Sequence, residues 1–498
     1  MKSKFPLILL GILIVWSNRN APIFSFDLSE ILICVVMGIL SIRPALGWLT
    51  SGMKGIPGFE AYCALHFFYY VSPYIRGSVD FLRYPLATRV QTGLAVCLFL
   101  FFAQLAFGYA MKNLVGSVVT RGRFFNRSIS ALRHMEILWA LLGIWWILTA
   151  AITLQVLPNV GAAFNVLRSF QASSGAIAVF YLFGAHGKKI LSSGKLAILL
   201  IAVVSGILLM FTSGFLVTGT FIILIAILGF TMEAHRFPIL SAVLCLAFIS
   251  FLHLGKSEVR ERYWQEGTNF SERGVDPIEL YSFWAASSSR HFFDKKHESE
   301  ERASFLQRAS LIQMLSLVVD ESPGRRPFLG GETYLQIPKL LVPRLFWPNK
   351  PRGSLPTETL GIYYGIQTLE SVEITAIGLG AIAEAWANFG WLGVVLVGVF
   401  LGFVFAVPGT LSRRLETDKL GYVLAVVFLS YSLDLENALG TFVVSAFQTL
   451  FVASVGFYFI SKNEALPTIK KVTRKIMMNG PSKGRNPSSA TDLNRALP

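Results

Sequence analysis

Apolar residues fill the first half of the chain in blocks separated by short polar stretches rich in Lys and Arg, and the pattern returns over the last quarter. Hydrocarbon about 30 Å thick takes about 20 apolar residues per helix, fewer where flanking aromatics reach the interface. The blocks predict about twelve spans, centred on Phe5 to Trp16, Ile31 to Ile42, Tyr62 to Ile75, Leu94 to Met111, Ile137 to Leu157, Phe170 to Ala185, Leu196 to Phe211, Phe215 to Met232, Phe237 to Leu254, Trp391 to Val407, Leu420 to Leu433 and Phe442 to Ile460. The first, second, third, sixth and eleventh are short or interrupted. The expected fold is an all-α polytopic membrane protein: transmembrane helices in 1–254, a large polar loop in 255–375, three more helices in 376–461 and a basic tail in 462–498.

Composition agrees. The chain has 498 residues, 53% of them hydrophobic and 15% charged, with mean hydropathy +0.57, whereas soluble chains carry about 25% charge. A disordered protein is excluded and a soluble enzyme disfavoured. The net charge of +15 would suggest nucleic acid in a soluble chain, but here its placement reports topology. With the N-terminus inside, roughly 24 Lys and Arg fall in cytoplasmic segments, about five in short outer ones and about fifteen in the long loop. Both termini are therefore expected in the cytoplasm and the loop outside it. A cleaved signal peptide competes for Met1 to Ala21, but Arg19 stands where a small residue is needed. Cys34, Cys63, Cys97 and Cys245 lie in apolar runs without a CxxC pair and read as small core residues.

A connection as long as 255–375 is usually functional. From Glu301 to Glu321, Phe305, Ala309, Ile312, Leu315 and Val319 recur at helical spacing, which predicts an amphipathic helix. It either packs on other protein or lies in the membrane interface. Next, Tyr334 to Arg352 interleaves Pro338, Pro343, Pro348 and Pro351 with Trp347 and the cations Arg344, Lys350 and Arg352. The prolines stiffen this path, which suits either headgroup anchoring or anion capture. Where the loop leaves the ninth span, His253, Lys256, Arg260 and Trp264 share a helical face, with Arg262 close behind. Such a stripe either snorkels to lipid phosphate or grips a phosphate-bearing substrate. At the loop's return, Gly380, Glu384 and Asn388 are four apart and align on one face. A carboxylate at the edge of a span is expensive and points to function, with helix–helix hydrogen bonding the plain alternative. No His/Asp/Glu cluster has metal-ligand spacing, and there is neither an Asp-x-Asp nor a Gly-rich phosphate loop.

Lys256-Ser-Glu-Val-Arg260-Glu-Arg262-Tyr-Trp264, Tyr334 leading into Ile337-Pro-Lys-Leu-Leu-Val-Pro-Arg344-Leu-Phe-Trp347-Pro-Asn-Lys350-Pro, and Ala383-Glu384-Ala-Trp-Ala-Asn388-Phe-Gly390-Trp-Leu-Gly393 together resemble bacterial oligosaccharide repeat-unit polymerases, the Wzy-type O-antigen or exopolysaccharide polymerases. The resemblance implies a GT-C-like glycosyltransferase of the bacterial inner membrane that needs no cofactor or metal. It would transfer a polymer from undecaprenyl pyrophosphate onto a second lipid-linked repeat unit at the periplasmic face. It further implies diphosphate binding by Arg260, Arg262, Arg344, Lys350, Arg352 and Lys256, with Arg260 and Arg344 also catalytic. Glu384 would be the base or orient an arginine. His253, Trp264, Tyr334, Trp347 and Asn388 would support the site, and Glu258, Glu332 and His291 are weaker candidates for the base. The implied partners are membrane lipids and a chain-length regulator and flippase of the same pathway, not nucleic acid. An O-antigen-ligase-like transferase and a polysaccharide transporter or assembly protein are the competing readings. The tail, with Lys470, Lys471, Arg474 and Lys475, reads as an interfacial helix attracted to anionic lipid, disordered after Gly480.

Overall fold

The computed structural model describes residues 26–77, 79–114, 123–154, 156, 161–263, 276–293, 310–342, 346–347, 349–374 and 377–461. The helices are α1 (Leu28–Thr50), α2 (Gly58–His66), α3 (Ser72–Arg76), α4 (Val79–Leu82), α5 (Leu86–Tyr109), α6 (Met135–Thr153), α7 (Gly161–Gly187), α8 (Ser193–Phe211), α9 (Leu216–Ala234), α10 (Ile239–Leu254), α11 (Lys256–Tyr263), α12 (Pro277–Phe293), α13 (Leu311–Glu321), α14 (Glu332–Leu335), α15 (Ile337–Leu341), α16 (Leu355–Tyr363), α17 (Ser371–Ile374), α18 (Ala381–Arg414), α19 (Leu420–Phe428) and α20 (Leu439–Ile460). Among the described residues the only pairing of extended backbone is an isolated bridge between Ser128 and Lys419. The chain is an all-α, multi-pass membrane protein.

Among the described residues, eight helices are long and apolar enough to cross a membrane: Leu28–Thr50, Leu86–Asn113, Met135–Thr153, Val166–Gly187, Ser193–Phe211, Leu216–Ala234, Ala381–Arg414 and Leu439–Phe459. A ninth results if α10 and α11, bent by 49°, form one span. The expected count of twelve is thus corrected to eight or nine among the described residues. At Tyr62 to Ile75 the helix is divided by a π-turn, Phe67–Val71, before Pro73 opens α3. Leu420–Leu433 is a shorter apolar helix that tightens into a 3₁₀ turn over Leu429–Leu433. The span expected at Phe5 to Trp16 and the basic tail lie outside the described residues.

Two apolar cores hold the bundle. One joins α1, α2, the π-turn, α5, α13, α18 and α20, and the other joins α6 to α10, α12 and α19. Small residues set the approach of α18 to α5: a Cβ added at Gly402 would stand 2.4 Å from the Ala103 carbonyl oxygen, so glycine alone permits this contact. In the second core Trp145 is fully buried against Gly175 and Gly206, where added Cβ atoms would each lie 2.3 Å from its ring.

Polar contacts sort the helix ends into two layers. In one, Arg89 pairs with buried Glu30 at 2.8 Å, Thr88 donates to Asp320 at 3.1 Å and the Gly380 amide donates to the Glu436 carbonyl at 2.9 Å. In the other, Arg413 pairs with Glu60 at 2.5 Å, Arg133 with Asp418 at 2.5 Å and Lys188 with Glu233 at 3.0 Å. The described part of the long connection belongs to the first layer. There α13 buries Leu311, Ile312, Leu315, Val318 and Val319 against the core of α5 and α18. The expected amphipathic helix therefore packs on protein over its described half, while Phe305 and Ala309 lie outside the described residues.

Candidate functional site

The loop leaves the bundle where α10 gives way to α11 at Gly255. The apolar run stops at Leu254, and Lys256, Glu258, Arg260, Glu261 and Arg262 make the next arm polar, so α11 stands beyond the spanning segment. Its orientation is set by α12, which packs alongside. The fully buried Trp284 donates its indole N–H to the Leu252 carbonyl at 2.5 Å. Glu258 accepts from the Ser287 hydroxyl, from Arg290 at 2.7 Å, and meets His291 at 2.8 Å. Glu258 and His291 are therefore braces between α11 and α12.

His253, Lys256 and Arg260 lie half-buried on the opposite face. Burial first, and then the neighbouring Arg260 charge, push the Lys256 ammonium down to about 8, with the Glu436 carboxylate opposing the shift. Arg260 donates through Nε and Nη2 to the Gly214 carbonyl at 3.3 and 3.2 Å and lies 5.1 Å over the Phe215 ring. Arg262, two positions on, turns the other way: it pairs with Glu279 at 3.2 Å and covers the Phe283 ring at 4.4 Å. The structure thus brings His253, Lys256 and Arg260 together and separates Arg262 from them.

Glu436, in the turn between α19 and α20, acts on Lys256 of the stripe, and that turn is bound to the start of α18. Gly380, at φ +83°, lets the chain enter α18 while its amide holds Glu436. Glu384 is fully buried. Its Oε2 accepts the amide N–H of Leu439, the first residue of α20, a favourable place for negative charge because helix N-termini carry unpaired N–H groups. Its Oε1 has no hydrogen-bond partner among the described residues, and neither has the nearby buried Tyr334 hydroxyl. Burial and the Glu384 carboxylate push the Tyr334 phenol well above its ordinary value, keeping it a neutral donor. Asn388 donates to Thr333 Oγ1 and the Glu384 carbonyl, both at 2.9 Å, and accepts from the Gly331 amide at 3.0 Å. Gly380, Glu384 and Asn388 do share one face, and Asn388 is fully engaged in tying α14 to α18.

Sequence reasoning missed Asp434, Glu436 and Asn437. The signal was present, since Asp434-Leu-Glu436-Asn437 is a polar gap between two apolar runs. Both Asp434 oxygens accept from the Asn437 amide, at 2.8 and 2.7 Å, and burial raises this carboxyl, with Glu436 adding to the shift. Glu436 is exposed, and its carboxylate adds to the burial that raises the Tyr69 phenol of the π-turn and opposes the fall of the Lys256 ammonium.

In the proline-rich segment, Lys350 is buried and donates through Nζ to the Leu340 and Val342 carbonyls, both at 2.8 Å. Its charge closes the C-terminal end of α15, which removes it from the expected diphosphate set. Arg352 is exposed, as is Trp347 at 38%, and the side chain of Glu332 points to solvent. Arg344 and Trp264 lie outside the described residues. Among the described residues no three His, Cys, Asp or Glu side chains converge as metal ligands would. Beside the site, α18 kinks at Gly390 (φ 57°, ψ −135°) and opens a cleft of about 420 Å³ lined by Phe328, Trp386, Phe389, Trp391 and Gln91.

The arrangement places Lys256 and Arg260 on one face at the end of the apolar bundle, with the exposed Glu436 carboxylate within electrostatic reach of Lys256. Such a site can hold a phosphate-bearing group on one side and take a proton on the other. No curated protein and no solved structure matches the chain. One family model covers residues 93–433, which takes in the cationic stripe, Glu384 and the kink. The chain belongs to the family described as Domain of unknown function (DUF8712).

Proposed function

We propose that the protein is a membrane-embedded glycosyltransferase that polymerises undecaprenyl-pyrophosphate-linked oligosaccharide repeat units into O-antigen or exopolysaccharide. In this reading it lies in the bacterial inner membrane with the layer containing α11, α13 and the start of α18 on the periplasmic side. That orientation rests on the Lys and Arg residues gathered in the opposite layer, such as Lys188, Arg236, Arg413 and Arg414. One observation carries the proposal: Lys256 and Arg260 share a half-buried face at the end of an apolar helix, where Arg260 is held on the Gly214 carbonyl.

The chemistry follows from that pairing. An acceptor hydroxyl attacks the anomeric carbon of the donor, the bond from that carbon to the diphosphate oxygen breaks, and the electron pair leaves with the diphosphate. Charge on the leaving group grows as the bond opens, so fixed cations stabilise the transition state more than the ground state. Losing one such group costs on the order of 10²-fold or more in rate. Arg344 and Arg352 belong to the proposed donor site through the resemblance, and Arg262 and Lys350 leave it on the contacts described above.

Purified protein mixed with lipid-linked repeat units tests the reading on a gel. A ladder of products supports polymerisation. A single added glycan would favour a ligase, and translocation without new glycosidic bonds a transporter.

A further inference from the structure

We infer that Glu436, not Glu384, presents the proton-accepting carboxylate of this site, and that Glu384 is the residue that positions it. The inference rests on the glycosyl-transfer reading and assigns the acceptor side of the same site.

Access separates the two carboxylates. Glu384 is 0% exposed, with one oxygen committed to the Leu439 amide and the other enclosed near Tyr334. A sugar hydroxyl cannot reach it without dismantling the start of α20. Glu436 is exposed and lies two residues before the N-cap of α20, Ala438. Its carbonyl is held against the segment that leads into α18. The Gly380 amide donates to its carbonyl at 2.9 Å, and Gly378 packs so tightly that an added Cβ would sit 2.2 Å from the same oxygen. Asp434, the other acid of the turn, has both oxygens on Asn437. Glu384 thus fixes the turn through Leu439, and the turn holds Glu436 within electrostatic reach of Lys256.

The step balances. The acceptor hydroxyl proton passes to a Glu436 oxygen as the new C–O bond forms, and the diphosphate departs with its electron pair toward Lys256 and Arg260. The charged and titratable groups that Glu436 acts on are Lys256 from α11, Tyr69 from the π-turn and Asp434 on its own turn, with His253 and Arg260 next to Lys256.

The test uses the full chain in nanodiscs with lipid-linked repeat units. Glu436→Gln should lower kcat about 100-fold or more with KM little changed and remove the acidic limb of the pH–rate profile, and Glu436→Asp should restore part of that limb. Glu384→Gln should keep turnover within about threefold and the wild-type pH profile, because its amide oxygen still accepts from Leu439, whereas Glu384→Ala should lose turnover. As a check free of mutation, a water-soluble carbodiimide should modify Glu436 and spare Glu384, with loss of turnover following the Glu436 adduct. A wild-type ladder with full activity in Glu436→Gln, or inactivation that follows labelling of Glu384, overturns this assignment and leaves the polymerase reading standing. No ladder from wild type overturns the polymerase reading and this assignment with it.

Discussion

Replacing Lys350 by Met separates a cation that binds substrate from one that holds the chain together. Lys350 is 6% exposed, and its ammonium supplies two hydrogen bonds of 2.8 Å to the Leu340 and Val342 carbonyls. Hydrogen bonds from a charged donor contribute about 1.5 to 3 kcal/mol each. Methionine keeps the apolar stem and drops both bonds, and the freed carbonyls regain part of the loss from water, so the expected cost is about 2 to 4 kcal/mol. Falling on a helix of five residues, it should appear as local opening: amide exchange over residues 337–350 about 10²-fold faster, with a lower Tm for the detergent-solubilised protein. Affinity for undecaprenyl diphosphate, read by a fluorescence titration, should change less than about threefold. Unchanged exchange and Tm together with a tenfold loss of affinity would show that Lys350 faces the ligand after all.

Three further outcomes follow. Lys256 releases its proton at about 8 in the folded chain against 10.5 as a free side chain. Undecaprenyl diphosphate should therefore bind less tightly as pH rises from 7 to 9, and Lys256→Arg should flatten that titration. By the same linkage the unfolded chain binds more protons between those values, so stability should rise with pH across that window, as unfolding at stepped pH will check. Arg413→Ala strands the Glu60 carboxylate, whose side chain is only 7% exposed, at a cost of about 3 to 5 kcal/mol. Adding Glu60→Met should recover part of the loss of Tm, and a double variant no better than the single one would count against a buried pair. A phosphatase fused near Gly330 should be active and one fused after Lys462 inactive, and the reverse pattern would invert the proposed orientation.

How much of this was legible along the chain depended on how local each feature is. Hydropathy located the eight full-length helices because each one carries its own apolar run. It also read spans at Tyr62 to Ile75, where apolar content says nothing of the π-turn that divides the helix, and at Leu420 to Leu433, where the helix tightens into a 3₁₀ turn, so neither is one of the long apolar helices. Helical spacing was equally local. It aligned His253 with Lys256 and Arg260, and Gly380 with Glu384 and Asn388, whereas Arg262, expected beside them, turns away to Glu279. What spacing could not supply was the partner across the gap. Glu436 acts on Lys256 from a turn held by Gly378 and Gly380, and Lys350 turns inward to the Leu340 and Val342 carbonyls. Arg344 and Trp264 keep their expected roles as proposals.

The two layers of paired charge also constrain how the protein rides in its bilayer. With Glu30 and Arg89 joined at one end of the bundle and Glu60 and Arg413 at the other, sliding along the membrane normal would draw one pair or the other into hydrocarbon. The pairs act as a keel and a float. Membranes of different thickness should then adjust to this protein rather than shift it.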